Sequence, residues 1–469
     1  MTLTFAHDAP DHDGFLHASL EWLAGMLGVP IQITPERPTV DLYYGNDDAR
    51  PCRLRVPRVA DGYAPDQVPG LPEGDDAPHD APFPFDWFEA TRLWLTDAAH
   101  DGLPGDAFDV HERLLPERSL QHRLGLLEVP VVNAYTDQLR TWLEARGAHL
   151  GRPFYLPEGK RAVVMLSHDV DMPIDPTDPL HPLWLTALAA RNGRATRAAR
   201  FGLEVARAAW AMARGRRDRH DVFAEVLEAE WRAGVRSTFF FAVRSSAHAR
   251  AHTLDVPYDL SRPVFRRAFA LIRAYGAEVG LHLSYNARAS HARMRHELET
   301  LRRLSGRDVI GNRHHFWHMR RPFWRTLDDH GRAGLSYDSS IAFNGRPGYR
   351  LGVAWPFHPW SPLSKRRVES LQIPSMAMDG AFFYNTAPDV PGTLARLEGL
   401  LATLKRYQGV AAIDWHVRTS WPGAERFAPW GEAYLGLLEL IAADPEIEAL
   451  RGEEILEQSR AAPGVIAAP

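Results

Sequence analysis

Strand-like and helix-like segments alternate along the chain from Arg161 onwards, and this alternation restricts the fold more than any other feature. The segments between the strands are amphipathic and often end in Gly, where helices commonly stop. Such alternation favours a parallel sheet with helices outside it. About seven such units favour a (β/α) barrel over an open sheet. The apolar runs that predict the strands are RAVVML, STFFFAV, AEVGLHL, DVIGN, LSYDSSI, LQIPS and VAAIDWH.

Residues 1–155 have a different pattern and predict a smaller α/β domain that precedes the barrel. HASLEWLAGMLG has helical periodicity, whereas IQITP and VDLYYG have the β-branched and aromatic content of strands. GRPFYLPEGK fits a linker at the end of this unit. We therefore expect an N-terminal domain over 1–155 and the barrel over 156–469.

A basic segment follows the first predicted barrel strand, within an insertion expected at about 175–222. Residues 191–219 contain nine Arg, with only Glu204 and Asp218 as acids. Basic helices of this kind can bind an anionic surface, such as lipid head groups or a phosphorylated sugar carrier. A solvated helix face explains the same composition, so the sequence leaves both interpretations open.

Charge, cysteine content and hydropathy exclude several other classes of protein. The formal net charge is -5, so no global basic field attracts nucleic acid. Cys52 is the single cysteine, which excludes a disulfide within the chain and a Cys-based zinc site. No apolar run approaches the ~20 residues of a membrane span. The start, MTLTFAHDAPDHDG, lacks the features of a signal peptide, so we expect a cytoplasmic protein.

Asp169 and Asp171 follow the first predicted barrel strand. Parallel strands present their carboxyl ends together, and sites form there. Two carboxylates this close repel each other, and one takes up a proton unless a cation lies between them. A divalent ion resolves the conflict, with one carboxylate as ligand and the other free as a base for water. The alternative is a loop whose aspartates cap the next helix.

Other strand ends carry His282, Arg313, His315, Asp338 and His416. Histidine and carboxylate together suit Zn²⁺ and related divalent ions. Arg313 can orient a carboxylate through a bidentate pair, and His416 can protonate a leaving amine. Each of these residues also has a purely structural interpretation, either in a surface cluster or in the core.

Five ordered segments over roughly 160–420 resemble the polysaccharide deacetylase domain (NodB-homology, carbohydrate esterase family 4). The segments are VVMLSHDVDMP, STFFFAV, AEVGLHLSYN, GNRHHFWHMRRPFWRTLDDHGRAGLSYDSSI and AAIDWH. DLYYG, FDWFEATRLWLT and LLEVPVVNAY also resemble the domain that precedes such catalytic domains in a bacterial subgroup.

The resemblance implies a distorted (β/α) barrel of about seven strands and a hydrolase of non-peptide carbon–nitrogen bonds. Its substrate would be a carbohydrate that carries an N-acetyl group. The implied cofactor is a divalent ion, usually Zn²⁺, with Co²⁺ or Ni²⁺ as alternatives. Asp169 corresponds to the base, Asp171 and His282 to metal ligands, Arg313 to the residue that orients the base, and His416 to the acid.

Two departures from the family pattern leave the ligand set and the substrate open. The first motif is D-V-D, so Asp169 and Asp171 can exchange roles, and D-V-D also resembles a lipid-linked aminosugar deformylase. Asn286 stands where the family has a second histidine. Either Asn286 is itself a weak ligand, or another residue replaces the histidine, with His315 as the candidate, or the metal is lost. The alternatives are therefore a deformylase of a lipid- or nucleotide-linked aminosugar and a non-catalytic carbohydrate-binding descendant.

Substrate contacts are expected from Tyr285, Asn286, Trp317 and Asp338, which lie in or beside these motifs. Aromatic rings there can stack on sugars or can belong to the core. The aromatic residues concerned are Tyr285, Trp317, Trp355, Trp360 and Trp415.

Overall fold

The computed structural model describes residues 2–8, 14–59, 62–64, 67–71, 81–172, 183, 186–187, 190–191, 193, 195–213, 221–243, 255–256, 258–383, 389–423, 427–462 and 464–466. The strands within them are β1 (Leu3–His7), β2 (Ile31–Ile33), β3 (Val40–Tyr44), β4 (Cys52–Val56), β5 (Ala162–Val170), β6 (Thr238–Ala242), β7 (Glu278–Leu283), β8 (Gly311–His314), β9 (Tyr337–Asp338), β10 (Trp360–Ser361), β11 (Arg366–Arg367), β12 (Leu371–Gln372), β13 (Ser375–Met378), β14 (Val410–Asp414), β15 (Ile447–Ala449) and β16 (Val465–Ile466). The α-helices are α1 (Phe15–Leu27), α2 (Trp87–Leu95), α3 (Leu120–Arg123), α4 (Val131–Ala145), α5 (Ala195–Ala213), α6 (Phe223–Arg232), α7 (Pro263–Ala274), α8 (His291–Ser305), α9 (Trp324–Ala333), α10 (Gly380–Phe383), α11 (Val390–Arg406), α12 (Ala428–Ala443) and α13 (Gly452–Ser459).

The larger sheet confirms the predicted α/β class. Its strands follow the order β12-β9-β8-β7-β6-β5-β14-β13, with β15 also beside β5, and every pairing among them is parallel. The sheet curls into a distorted half-barrel. It has nine strands rather than about seven. The extra strands include β13 and β15, of four and three residues, which are too short to give a clear sequence period.

Alternation along the strands divides the apolar residues between the two faces of this sheet. In β6, Phe239 and Phe241 belong to the core shared with the outer helices, whereas Phe240 belongs to the core inside the barrel. This is the period of two that an extended backbone imposes on its side chains. The strand sequence therefore decides which polar side chains can enter the site.

The N-terminal region forms its own sheet, and its apolar side chains pack against those inside the barrel. Its strand order is β16-β2-β1-β3-β4. Strand β16, which follows the barrel in sequence, thus pairs with β2 of the N-terminal region. One hydrophobic core joins Phe5, Leu42 and Trp87 of this region to Met165 and Phe240 inside the barrel. The N-terminal region can therefore supply side chains to the barrel mouth.

Helix α5 makes up most of the described part of the basic segment, and residues 192, 194 and 214–219 lie outside the described residues. Leu203 and Trp210 of α5 are 51% and 52% exposed. Among the described residues, no helix is long and apolar enough to cross a membrane. The contact with an anionic surface and the cytoplasmic location stay predictions.

Candidate metal and catalytic site

The parallel register brings polar side chains from distant parts of the chain to one mouth of the barrel. Asp169 lies near the end of β5, and Asp171 follows that strand directly. His282 pairs with Arg313 across β7 and β8, and β14, which leads to His416, pairs with β5. All of these strands point the same way, so their carboxyl ends share one edge.

Arg313 connects two buried carboxylates on the inner face of the barrel. Its Nη1 lies 3.1 Å from Asp169 Oδ1 and 2.9 Å from Asp414 Oδ1. Its guanidinium lies over the ring of Phe240, 4.6 Å from the centroid, and its Nε donates to the carbonyl of Ser339. Burial and the neighbouring Asp169 raise the pKa of Asp414 to about 7 in spite of this arginine. Because Arg313 is itself held by Ser339 and Phe240, its contact with Asp169 Oδ1 fixes the orientation of that carboxylate.

Asp171 lies at the centre of a ring of side chains. Its Oδ1 is 3.4 Å from His282 Nε2 and 3.5 Å from His315 Nε2. Its Oδ2 is 3.1 Å from His416 Nε2 and 3.3 Å from Arg418 Nη1. Burial alone raises the pKa of Asp171, but His315 and His416 hold it well below the usual range. Ligand atoms of Asp171, His282 and His315 all lie within 4.8 Å of one another.

His282 presents a ring nitrogen to two carboxylates. Its Nδ1 lies 3.1 Å from the carbonyl oxygen of Arg313, which only accepts, so Nδ1 carries a proton. In the neutral ring, Nε2 then carries a lone pair instead of a proton. This nitrogen lies 3.4 Å from Asp171 Oδ1 and 3.7 Å from Asp169 Oδ2. Neither His282 Nε2 nor Asp171 Oδ1 has a hydrogen-bond partner, although both atoms are buried.

Facing lone pairs in a buried site are stable only with a proton or a cation between them. Burial alone lowers the pKa of His282, but Asp169 and Asp171 raise it above its usual value. Imidazole nitrogen and carboxylate oxygen are also the ligands that Zn²⁺ takes when cysteine is absent. The donor set of Asp171, His282 and His315 therefore fits a divalent ion.

His416 is held by Asp379, which lies between β13 and α10. Its Nδ1 is 3.0 Å from Asp379 Oδ1, and its backbone N–H donates to Asp379 Oδ2 at 3.0 Å. Thr419 Oγ1 donates to the same carboxylate at 2.5 Å. Burial lowers the pKa of His416, but Asp379 raises it well above the usual range. His416 therefore keeps a proton on Nε2, which lies toward Asp171.

A left-handed turn directs His315 toward Asp171. Phe316 and Trp317, the next two residues, have φ of 58° and 50°, a region that non-glycine residues rarely adopt. This turn follows β8, and His315 is its first residue. The alternative residue, Asn286, is half-buried and precedes the short 3-10 turn Ala287–Ala289.

Asp338 does not lie at this mouth, so the expected contact of Asp338 with substrate is wrong. It is fully buried and accepts hydrogen bonds from Asn312 Nδ2 at 2.6 Å and Ser340 Oγ at 2.6 Å. Its carboxylate also lies in a group with His314 and His330, and His330 belongs to the outer helix α9. Asn312 and Asp338 thus lie on the helix side of the sheet, which a substrate cannot reach.

The five aromatic residues divide between the core and the rim. Trp355 and Trp415 are fully buried and belong to the core. Trp360 lies in β10, away from the strands that carry the site. Tyr285 is half-buried, and its ring lies 5.9 Å from Phe316 of the left-handed turn. Trp317 is 4% exposed and lines a cavity beside the site.

Three residues of the site were missed in the sequence. Asp414 stands two positions before His416 in the last apolar strand, so alternation could have assigned it to the inner face. Asp379 follows a four-residue strand in a segment without a clear period, which left no signal. Arg418 lies beyond the motif, and its place beside Asp171 depends on the loop after β14.

No family model and no curated protein matches the sequence. The structure is similar to a probable polysaccharide deacetylase from Pseudomonas aeruginosa PAO1, with 13% identity, a TM-score of 0.40, and 66% of this chain and 94% of that chain covered. It is also similar to Puue allantoinase, with 14% identity, a TM-score of 0.42 and coverages of 67% and 95%. A third likeness is wild-type BA3943, a CE4 family pseudoenzyme from Bacillus anthracis, with 12% identity, a TM-score of 0.30 and coverages of 64% and 66%.

A probable polysaccharide deacetylase is thus among the solved structures to which this chain is similar. TM-scores below 0.5 define neither a substrate nor an activity, and the last of these neighbours is a pseudoenzyme.

Proposed function

We propose that this protein is a metal-dependent hydrolase that removes an N-acetyl group from a sugar of a glycan or glycan precursor. The observation that carries the proposal is the bare pair of His282 Nε2 and Asp171 Oδ1, both buried and both without a hydrogen-bond partner. A pair of this kind is stable with a proton or a cation between its two atoms, and a third ligand atom beside it favours the cation. His315, with Nε2 at 3.5 Å from the same oxygen, supplies a third ligand in the place that Asn286 leaves vacant.

Asp171, His282 and His315 would hold the ion, which is Zn²⁺ or, as alternatives, Co²⁺ or Ni²⁺. When bound, such an ion polarises a carbonyl oxygen and lowers the pKa of water. Two histidines and one carboxylate leave further positions open, as a catalytic site requires.

Asp169 is assigned as the base that takes a proton from the attacking water. Arg313 supports this role, because it holds Asp169 Oδ1 at 3.1 Å and leaves Oδ2 facing His282. The same contacts distinguish Asp169 from Asp171, whose oxygens lie among the histidines and Arg418. The two aspartates therefore have separate roles, base and ligand, in the order that the motif implies.

His416 is assigned as the acid that protonates the leaving amine. Asp379 raises the pKa of His416, so the imidazolium persists at neutral pH. Its Nε2 is on the side of Asp171, within reach of an amide held there. Base and acid thus have different partners, Arg313 for Asp169 and Asp379 for His416, which supports separate roles in one reaction.

The experiment measures acetate and formate release from N-acetyl and N-formyl sugars by the parent, Asp169→Asn and Asp308→Asn. Asp308 is a matched control because its side chain is 84% exposed. Loss of the base lowers acetate release by at least about 100-fold, whereas Asp308→Asn keeps it. Formate without acetate would identify the deformylase alternative. Equal release by the parent and Asp169→Asn would refute the assigned chemistry.

We also propose that helix α5 contacts an anionic surface. Nine Arg against two acids over 191–219 supply the charge, and Leu203, at 51% exposure, supplies an apolar group for the interface. Basic helices with exposed apolar residues bind anionic lipid surfaces in this way. A lipid-linked substrate would then be held close to the surface that carries it.

A further inference from the structure

A loop of the N-terminal region, residues 108–114, lies against the turn that carries the proposed ligand His315. An antiparallel bridge between Phe108 and Leu114 closes this loop. The proposed reaction gives no part to any side chain of the loop. Because the loop belongs to the N-terminal region, any part that it has in the site connects that region to the chemistry of the barrel.

The turn that begins at His315 has a backbone conformation that depends on its surroundings. Phe316 and Trp317 have φ of 58° and 50°, a region that is unfavourable for residues with a Cβ atom. Such residues persist where the contacts around them hold the backbone in place. His315 directly precedes them, and its Nε2 lies 3.5 Å from Asp171 Oδ1. The direction of the His315 side chain therefore depends on what holds this turn.

Arg113 of the loop 108–114 makes a direct contact with the turn. Its Nη1 donates to the carbonyl of Phe316 at 2.9 Å and to Asn344 Oδ1 at 3.1 Å. Asp109 holds the other side of the guanidinium, with Oδ2 at 2.8 Å from Nε and 2.7 Å from Nη2. Two charge-assisted contacts of this kind fix the plane of the guanidinium. Nη1 is thereby directed at the carbonyl one residue beyond His315.

His111 of the same loop contacts the segments that follow both proposed histidine ligands. Its ring stacks on that of Phe316, with 4.6 Å between centroids, and its Nδ1 lies 3.0 Å from Tyr285 Oη. Phe316 directly follows His315, and Tyr285 stands three positions after His282. One side chain of the N-terminal region thus contacts the segment beyond each of these two ligands.

Two further contacts of the loop lie nearer the surface. Glu112 pairs with Arg288 at 3.1 Å, with side chains 39% and 22% exposed. The guanidinium of Arg321 lies 3.4 Å from the centroid of the Phe108 ring, and Arg321 is exposed. Ion pairs at the surface contribute little. Arg113, with a side chain that is 13% exposed, is therefore the main contact to test.

We propose that Arg113, assisted by His111, is a positioning residue for the metal ligand His315, so that the N-terminal region forms part of the metal site. The inference rests on the proposed function for the identity of the ligands. Groups that hold a metal ligand in place typically contribute about 10–100-fold to metal affinity. Arg113 acts through the backbone of Phe316. Its loss should therefore weaken metal binding only while His315 is present.

The test measures the Zn²⁺ dissociation constant of the full-length protein by titrating the metal-free form against a competing chelator. Arg113→Met removes the donors and keeps an unbranched side chain. Arg140→Met is the matched control, because Arg140 also lies in the N-terminal region, is 14% exposed and donates to the carbonyl of Gly151 at 2.9 Å. His315→Ala and the double variant Arg113→Met/His315→Ala complete a cycle that isolates the coupling of the two residues.

We expect Arg113→Met to raise the dissociation constant at least about tenfold and Arg140→Met to leave it within about twofold. Arg113→Met should bring no further loss in the His315→Ala background. An unchanged constant in Arg113→Met overturns the inference. An equal loss with and without His315 also overturns it, because a general loss of structure acts in both backgrounds.

Two measurements keep the test decisive if a variant fails. If Arg113→Met does not show a cooperative unfolding transition in urea, His111→Ala, at a half-buried side chain, takes its place under the same criteria. If His315→Ala binds Zn²⁺ too weakly to be titrated, the comparison of Arg113→Met with Arg140→Met decides.

Acetate release by the parent is scored separately. A parent that binds Zn²⁺ and follows the predicted cycle, but releases no acetate, contradicts only the proposed hydrolysis. A parent that releases acetate, with the Zn²⁺ affinity unchanged by Arg113→Met, contradicts only the positioning role. A parent that binds no Zn²⁺ contradicts both.

Discussion

Replacing Arg313 by Met tests the electrostatics of the inner barrel, because one guanidinium serves two buried carboxylates. The methionine keeps the contact with Phe240 but removes the charge that lies 3.1 Å from Asp169 and 2.9 Å from Asp414. The backbone carbonyl of Ser339 also loses one of its two donors and keeps Ser375 Oγ at 3.0 Å. Removing one partner of a buried ion pair typically costs about 3–5 kcal/mol.

The cost of Arg313→Met should grow with pH, and the sign follows from Asp414. An arginine beside a carboxylate lowers its pKa by about 1–3 pH units, so removing Arg313 raises the pKa of Asp414 above its present value of about 7. A carboxyl with a raised folded-state pKa contributes stability at low pH and loses it as the pH rises through that pKa. At 1.36 kcal/mol per pH unit, and with the difference from the parent confined to the range between pH 7 and pH 9, the extra cost between pH 6 and pH 9 is about 1.4–2.7 kcal/mol.

The assay is equilibrium urea unfolding followed by tryptophan fluorescence at both pH values. Arg118→Met is the control, because Arg118 pairs with Asp106 at 2.8 Å with both side chains more than half exposed. Such surface pairs contribute about 0–1 kcal/mol. A cost of Arg313→Met below about 1 kcal/mol at both pH values, or an equal cost at both, would refute the reasoning.

Three further predictions concern the acid, a buried glutamate and helix α5. Asp379→Asn should lower the pKa of His416, because Asp379 raises that pKa in the parent. The alkaline limb of the plot of kcat against pH should therefore move to lower pH. A limb that does not move would contradict the role of the Asp379–His416 pair. Burial raises the pKa of Glu297, which accepts from Ser284, to about 7 from an ordinary 4.5. The parent should therefore lose up to about 3 kcal/mol as the pH rises from 5 to 8. In the same urea assay Glu297→Gln should lack that pH-dependent loss, and a slope equal to that of the parent would count against it. Leu203→Glu should weaken sedimentation with vesicles that contain anionic phospholipid, and parent binding should fall with added salt; equal binding to neutral vesicles would argue against the contact.

The sequence predicted those site residues that stand at the ends of clear apolar strands. Asp169, His282 and Arg313 follow or end strands whose composition shows a period, and parallel pairing then brings them together. The alternation that separates inner from outer side chains failed for Asp338, because β9 has two residues and shows no period. A longer strand would have placed Asp338 on the helix side.

Contacts between distant loops were beyond sequence reasoning. Arg113 and Phe316 are 203 residues apart, and no local pattern in either segment indicates that they meet. Asp379 reaches His416 across two neighbouring strands, after a register shift in β13. Such pairings depend on how loops end and turn, which composition and periodicity do not encode.

The most direct test of the central claim is the metal content of protein purified without chelator, measured by elemental analysis. The account predicts one Zn²⁺, Co²⁺ or Ni²⁺ ion per chain in the parent and its loss in His282→Ala and His315→Ala. His17→Ala, at a side chain that is 51% exposed, should keep the ion. A parent without a divalent ion, or His282→Ala protein that keeps a full equivalent, would contradict the account.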